Sequence, residues 1–131
     1  MPQATNLVIP NGATPPVSKT FELINPAAGD GGITLWALKE GPISAVFPQI
    51  TAMAKRSVKG RNLKIKLVLP SSYSDSVTGL TNVGSRAEMN ATVSVPDDFP
   101  ETSKADFVAF ATGLFQQALV KTMMRDAYPA T

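Results

Sequence analysis

The sequence predicts an α+β fold, with an antiparallel sheet first and two helices last. Three observations carry that expectation. Several segments alternate apolar and polar residues with the period of two that marks a half-buried strand. Mostly short turn signals separate them, as between strands that pair with their neighbours in sequence. After Pro96 the period becomes that of an amphipathic helix. No internal repeat divides the 131 residues, so residues 1–131 read as one domain.

The elements follow in order. "NLVIPNG" is a short strand closed by the turn signal Pro10-Asn11-Gly12. "KTFELINP" is its hairpin partner, stopped by Pro26. "AAGDGG" is a loop, and "ITLWALKEG" a strand that is apolar on both faces at its start. "FPQITAMAKRS" alternates, with Ile50, Ala52 and Ala54 on one side and Gln49, Thr51, Met53 and Lys55 on the other. "SVKG" turns the chain, and "NLKIKLVLP" returns. The stretch Ser71–Ser85 is rich in Ser, Thr and Gly without clear period, and reads as a long functional or mobile loop. "RAEMNATVSVP" is the last strand, with Glu88, Asn90, Thr92 and Ser94 on one face. Phe107, Phe110, Ala111, Leu114, Phe115, Ala118 and Leu119 then recur at helical spacing, with Ser103 as expected N-cap and Asp106 as capping-box acid. Val120, Met123, Met124 and Ala127 extend the pattern into a second short helix after a bend. Gly113 inside the first helix costs about 1 kcal/mol relative to Ala; it is either simply tolerated or marks a close crossing of another backbone or bulky side chain.

Composition narrows the function. With 44% apolar and 17% charged residues the chain is globular in character. It has no cysteine, hence no disulfide and no thiolate metal site. It has no histidine, so the usual zinc sites and His-dependent acid–base catalysis are excluded. No cofactor is expected. There is no nucleophile elbow, Walker loop or S-x-x-K motif. Asp97 and Asp98 read as a solvated turn before a helix, and Tyr73 and Asp75 have no identifiable partner. An enzyme is not expected. "MPQATNLVIPNG" lacks the basic n-region and apolar run of a signal peptide, and no stretch approaches the ~18 apolar residues of a membrane span.

The net charge is only +2, but its distribution is uneven. Lys55, Arg56, Lys59, Arg61, Lys64 and Lys66 crowd into "KRSVKGRNLKIK" with no acid among them. Strand period puts Lys64 and Lys66 on one face and Ile65 and Leu67 on the other. Lysines are also ordinary solvating charges on exposed strands. Here they neighbour Gln49, Thr51, Lys55, Asn90 and Thr92, and lysines beside amides and hydroxyls suit phosphates and unpaired bases. Arg56, Lys59 and Arg61 fall in or beside a turn. Trp36, flanked by Leu35 and Leu38, reads as a core or interface anchor.

The order "FELINP", a Gly-rich loop, "ITLWALKEG", "QITAMAKRSVKGRNLKIKLVLP", a Ser/Thr/Gly stretch, "RAEMNATVSVP" and two helices ending in "AYPAT" resembles the coat proteins of the single-stranded RNA bacteriophages, the leviviruses. The resemblance runs from about Leu7 to the C-terminus. It implies an N-terminal β-hairpin, a five-stranded antiparallel sheet and two C-terminal α-helices that interlock with a partner subunit in a homodimer. It implies a virion protein assembled in the bacterial host cytoplasm into an icosahedral shell. The inner sheet face would bind genomic RNA and a stem-loop operator, repressing replicase translation. The implied RNA-facing positions are Ile33, Gln49, Thr51, Met53, Lys55, Lys64, Lys66, Val68, Glu88 and Asn90. Phe107, Phe110, Leu114 and Phe115 are the expected dimer contacts. The sequence departs from well-studied members at Glu88, where they carry a tyrosine on which an RNA base stacks. Without cysteine, no disulfides join the long loops. The alternatives are an RNA-binding regulator that never assembles and a β-rich appendage subunit without nucleic acid.

Overall fold

A computed structural model describes residues 2–131. The chain forms two units, one ending at Val95 and one running from Pro96 to Thr131.

The first unit is a six-stranded antiparallel meander in sequence order: β1 (Leu7–Pro10), β2 (Ser18–Asn25), β3 (Ile33–Ala37), β4 (Gln49–Arg56), β5 (Gly60–Ser74) and β6 (Thr81–Pro96). The expected hairpin of β1 and β2 is present, pairing Leu7 with Phe21 through Pro10 with Ser18. It does not stand apart from a five-stranded sheet. β2 also pairs with β3 across an irregularity between Leu23 and Asn25, so the hairpin continues the sheet and gives six strands in one order. Trp36 is half-buried, and its indole N–H donates to the Thr5 carbonyl at 2.7 Å. The Asn6 side chain accepts from the Leu23 N–H at 2.9 Å. These two bonds tie the segment before β1 to the sheet.

The core of this unit holds Phe21, Ala37, Val46 and Ile50, with Thr34 beside them. Val46 sits in a 3-10 turn, Ser44–Val46, that contacts β5. Gly41 admits it: φ is +128°, and a Cβ there would lie 2.6 Å from a Val46 methyl.

The Ser71–Ser85 stretch is not a long loop. β5 continues to Ser74 and β6 begins at Thr81. A tight turn joins them. The Asp75 N–H donates to Leu80 O, its side chain accepts from the Val77 N–H at 2.8 Å, and Gly79 takes φ +70°. Ser71 Oγ donates to Ser85 O at 2.7 Å across the pair. Pro70, expected to end the strand, lies inside it. β4 pairs with β5 only as far as Val68, so the missing N–H falls where no β4 acceptor waits.

The second unit contains α1 (Glu101–Gln116) and α2 (Ala118–Asp126). Gln117, extended at φ −69° and ψ 137°, makes the expected bend. The start differs from expectation. Pro100 is the N-cap, and no side chain caps the helix. The proline fixes its own extended entry, so Ser103 and Asp106 fall inside the helix, with Ser103 N–H bonded to Pro100 O. Nothing lies within 4 Å of a Cβ built on Gly113, so among the described residues the glycine is simply tolerated and no close crossing is seen. α2 ends at Ala127, which adopts a left-handed conformation at φ 56°. No helix among the described residues is long and apolar enough to cross a membrane.

Candidate nucleic-acid interface

The register of three strands builds one face row by row. Ile33 pairs with Met53, and Met53 with Lys64. Leu35 pairs with Thr51, and Thr51 with Lys66. Ala37 pairs with Gln49, and Gln49 with Val68. Lys55 pairs with Asn62. Residues directly opposite in an antiparallel ladder point to the same side, so the predicted positions on β3, β4 and β5 share one face. Glu88 joins them from β6, because Glu88 Oε2 lies 3.6 Å from Lys66 Nζ. Asn90, two residues on, shares its side of the strand.

The face is less uniformly polar than its lysines suggest. Leu35 and Ala37 lie on it, and Ala37 is buried. Asn62 belongs to it too and was not singled out from the sequence, although it continues the alternation of Lys64 and Lys66. The opposite face carries Thr34, Trp36, Ile50, Ala52, Ala54, Leu63, Ile65 and Leu67, as the alternation predicts.

The cations divide into distinct groups. Arg61 pairs with Asp30 at 3.4 Å, and the Asp30 carboxylate accepts from the Arg56 backbone N–H at 3.2 Å. With the Gly31 N–H bonded to Ala54 O, these contacts fasten the loop before β3 to the β4–β5 hairpin. Lys66 is engaged by Glu88, with the two side chains 44% and 46% exposed. So exposed a pair contributes at most about 1 kcal/mol of stability. Its larger consequence is that it cancels charge in the middle of the face. Lys55 and Lys64 pair with no acid among the described residues. They border an open recess of about 200 Å³ that Met53, Arg56, Ser57 and Asn62 also line. One end of the face is thus basic and concave, and the row of Thr51, Lys66 and Glu88 is close to neutral.

The expected dimer contacts lie on α1. Phe107, Phe110, Leu114 and Phe115 are 39%, 75%, 55% and 44% exposed, and neither helix has a buried residue.

Comparison with known proteins decides what carries this face. The levivirus coat protein family matches residues 2–130. The chain belongs to that family. It is a structural, non-enzymatic protein of a phage capsid, and so a component of the virion. Among curated proteins none matches. Among solved structures, the virus-like particle of bacteriophage NT-214 is similar at TM-score 0.86 and 24% identity, over 99% of this chain and 100% of that one. The virus-like particle of Beihai levi-like virus 21 is similar at 0.83 and 20%, over 99% of each chain. The capsid protein of bacteriophage GA is similar at 0.72 and 16%, over 93% of this chain and 94% of that one. At such identities the likeness is one of fold, and this levivirus coat protein's own residues must account for what its surfaces bind.

Proposed function

We propose that residues 1–131 act as one coat-protein domain that dimerises and assembles in the host cytoplasm into an icosahedral shell. The shell packages genomic RNA against the sheet face, and the dimer binds a stem-loop as translational repressor. The observation that carries this reading is the shared face of Lys55, Lys64 and Lys66 with Gln49, Thr51, Asn62 and Asn90. Lysines position phosphates, and amides and hydroxyls meet sugars and base edges. Ile33, Met53 and Val68 supply apolar contact beside them, and Glu88 completes the interface.

Two features support the dimer. Neither helix has a buried residue, and Phe107, Phe110, Leu114 and Phe115 are exposed along α1. β6 ends the strand order, so its outer edge lies unpaired along Thr81–Pro96 among the described residues. Fully burying a Phe or Leu stabilises by ~1.5–3 kcal/mol. For the half-exposed Phe107, Phe110, Leu114 and Phe115 of two copies the total is on the order of 6–12 kcal/mol, against an association cost of roughly 4–15 kcal/mol. Helix contacts alone therefore fall near balance, and pairing of β6 edges supplies the surplus.

Filter binding of the dissociated protein to the phage's own stem-loops, across a salt series, tests the RNA reading. Lys64→Ala with Lys66→Ala should weaken binding to every hairpin and lower the salt slope by roughly 0.7–0.9 for each phosphate no longer neutralised. Unchanged affinity and slope would mean that these lysines only solvate the strand.

A further inference from the structure

The ion pair between Lys66 and Glu88 gives the face a feature that phosphate binding does not need. A carboxylate in the middle of an RNA surface repels phosphate, and it also neutralises one of the face's three lysines. The pair is long for a charge-assisted hydrogen bond, at 3.6 Å against the usual 2.7–2.9 Å. An ionised carboxylate offers about four lone-pair sites. Lys66 engages one oxygen from one side, and the group is 46% exposed, so acceptor capacity remains open to solvent. Thr51 stands opposite Lys66, and Leu35 opposite Thr51, so this row offers an apolar surface and a hydroxyl beside the carboxylate.

We infer that Glu88, held in place by Lys66, is a specificity-determining residue that accepts a hydrogen bond from the exocyclic amino group of an unpaired RNA base. The inference rests on the sheet face being the RNA interface. Phosphates go to the basic end, where Lys55 and Lys64 flank the recess. A base goes to the neutral row, one strand period or about 7 Å further along β5. Cytosine, adenine and guanine each carry an amino donor that a carboxylate can accept, as Glu does from cytosine N4 in groove readout. Uracil has no amino group, and its ring N–H lies between two carbonyl oxygens that repel a carboxylate. The row therefore selects for amino-bearing bases and against uracil. Lys66 orients the carboxylate and offsets its repulsion of the nearby backbone.

The test uses the full-length protein dissociated from particles and synthetic RNA hairpins that share one stem and differ only in the unpaired base: C, A, G or U. The wild type should bind at least one amino-bearing hairpin about tenfold or more tighter than the U hairpin. Glu88→Gln keeps the shape and removes the charge. It should shrink that preference to less than about threefold and steepen the salt slope by roughly 0.7–0.9, because Lys66 becomes available to phosphate. Equal wild-type binding to all four hairpins, or a preference that survives in Glu88→Gln, would overturn the assignment. Lys55→Ala with Lys64→Ala separates this from the reading beneath it. That variant should bind all four hairpins more weakly with the preference intact. If it instead matches the wild type in affinity and slope, the sheet face is not the RNA interface and the role of Glu88 falls with it.

Discussion

The sheet face and the helical unit solve opposite problems. On β3, β4 and β5 every row has its backbone partners within the chain, and the side chains left outside are mainly polar or cationic. Along α1 and α2, by contrast, Phe110, Leu114 and Leu119 stand 75%, 55% and 61% exposed. Exposed lysine is stable in water as it stands. Exposed phenylalanine is not, and a contiguous set of such residues marks an interaction site. The contrast supports the proposal that the sheet face receives a ligand while the helical face is covered by another copy of the chain.

The largest effect should come from breaking the helical side of this comparison. Phe110→Asp with Leu114→Asp places two charges where an apolar partner surface is proposed. In analytical ultracentrifugation the variant should show no folded dimer and no particles, because an unpaired charge in a buried interface costs several kcal/mol. A soluble, dimeric double variant would remove these residues from the interface.

Next is the hairpin tip. Val77 and Leu80 are 90% and 65% exposed at the turn between β5 and β6. Replacing 75–80 with a two-residue Asn-Gly turn should preserve the dimer and its thermal midpoint within a few degrees. It should alter or abolish particles in electron microscopy if the exposed Val77 and Leu80 meet neighbouring copies in the shell. Loss of folding would place the turn in the structural core instead.

The sheet side is sharpened by comparing its lysines singly. Lys64 is unpaired among the described residues, while Lys66 is partly neutralised by Glu88. Lys64→Ala should therefore lower RNA affinity and salt slope more than Lys66→Ala. Glu88→Tyr should strengthen binding to the U hairpin through stacking worth about 1–3 kcal/mol, and remove the preference for amino-bearing bases. The smallest effect concerns Ala127, left-handed at φ 56° at the end of α2. Ala127→Gly should stabilise the dimer by about 1 kcal/mol in chemical denaturation, because glycine adopts this conformation without steric cost.

How much of this was legible in the sequence follows from where burial is one-sided. Ile50, Ala52 and Ala54 against Gln49, Thr51 and Met53 gave β4, and Lys64, Ile65, Lys66 and Leu67 gave β5, because each strand has one drier face and period two records it. Ser71–Ser74 and Thr81–Ser85 carry no such contrast. Ser71–Ser74 are exposed on both sides and Thr81–Val83 are half-buried on both, so nothing forces alternation and a paired strand reads like a loop. The start of α1 differs because Ser103 and Asp106 fit a capping box, while Pro100 sets the N-cap three residues before Ser103. The candidate face was legible as a set of residues. Its division into a basic end and a neutral row was not, because the contact of Lys66 with Glu88 joins two strands across a turn whose length the sequence overstates.

RNA is proposed to lie against the sheet face bearing Lys55, Lys64 and Lys66. Ultraviolet cross-linking of RNA to protein within assembled particles, read by peptide mass spectrometry, tests it most directly. Cross-linked peptides should come from Gln49–Arg56 and Gly60–Ser74, with adducts at or next to Met53, Lys55, Lys64 and Lys66. Cross-links confined to Glu101–Gln116 and Ala118–Asp126, with none on those two strands, would contradict it.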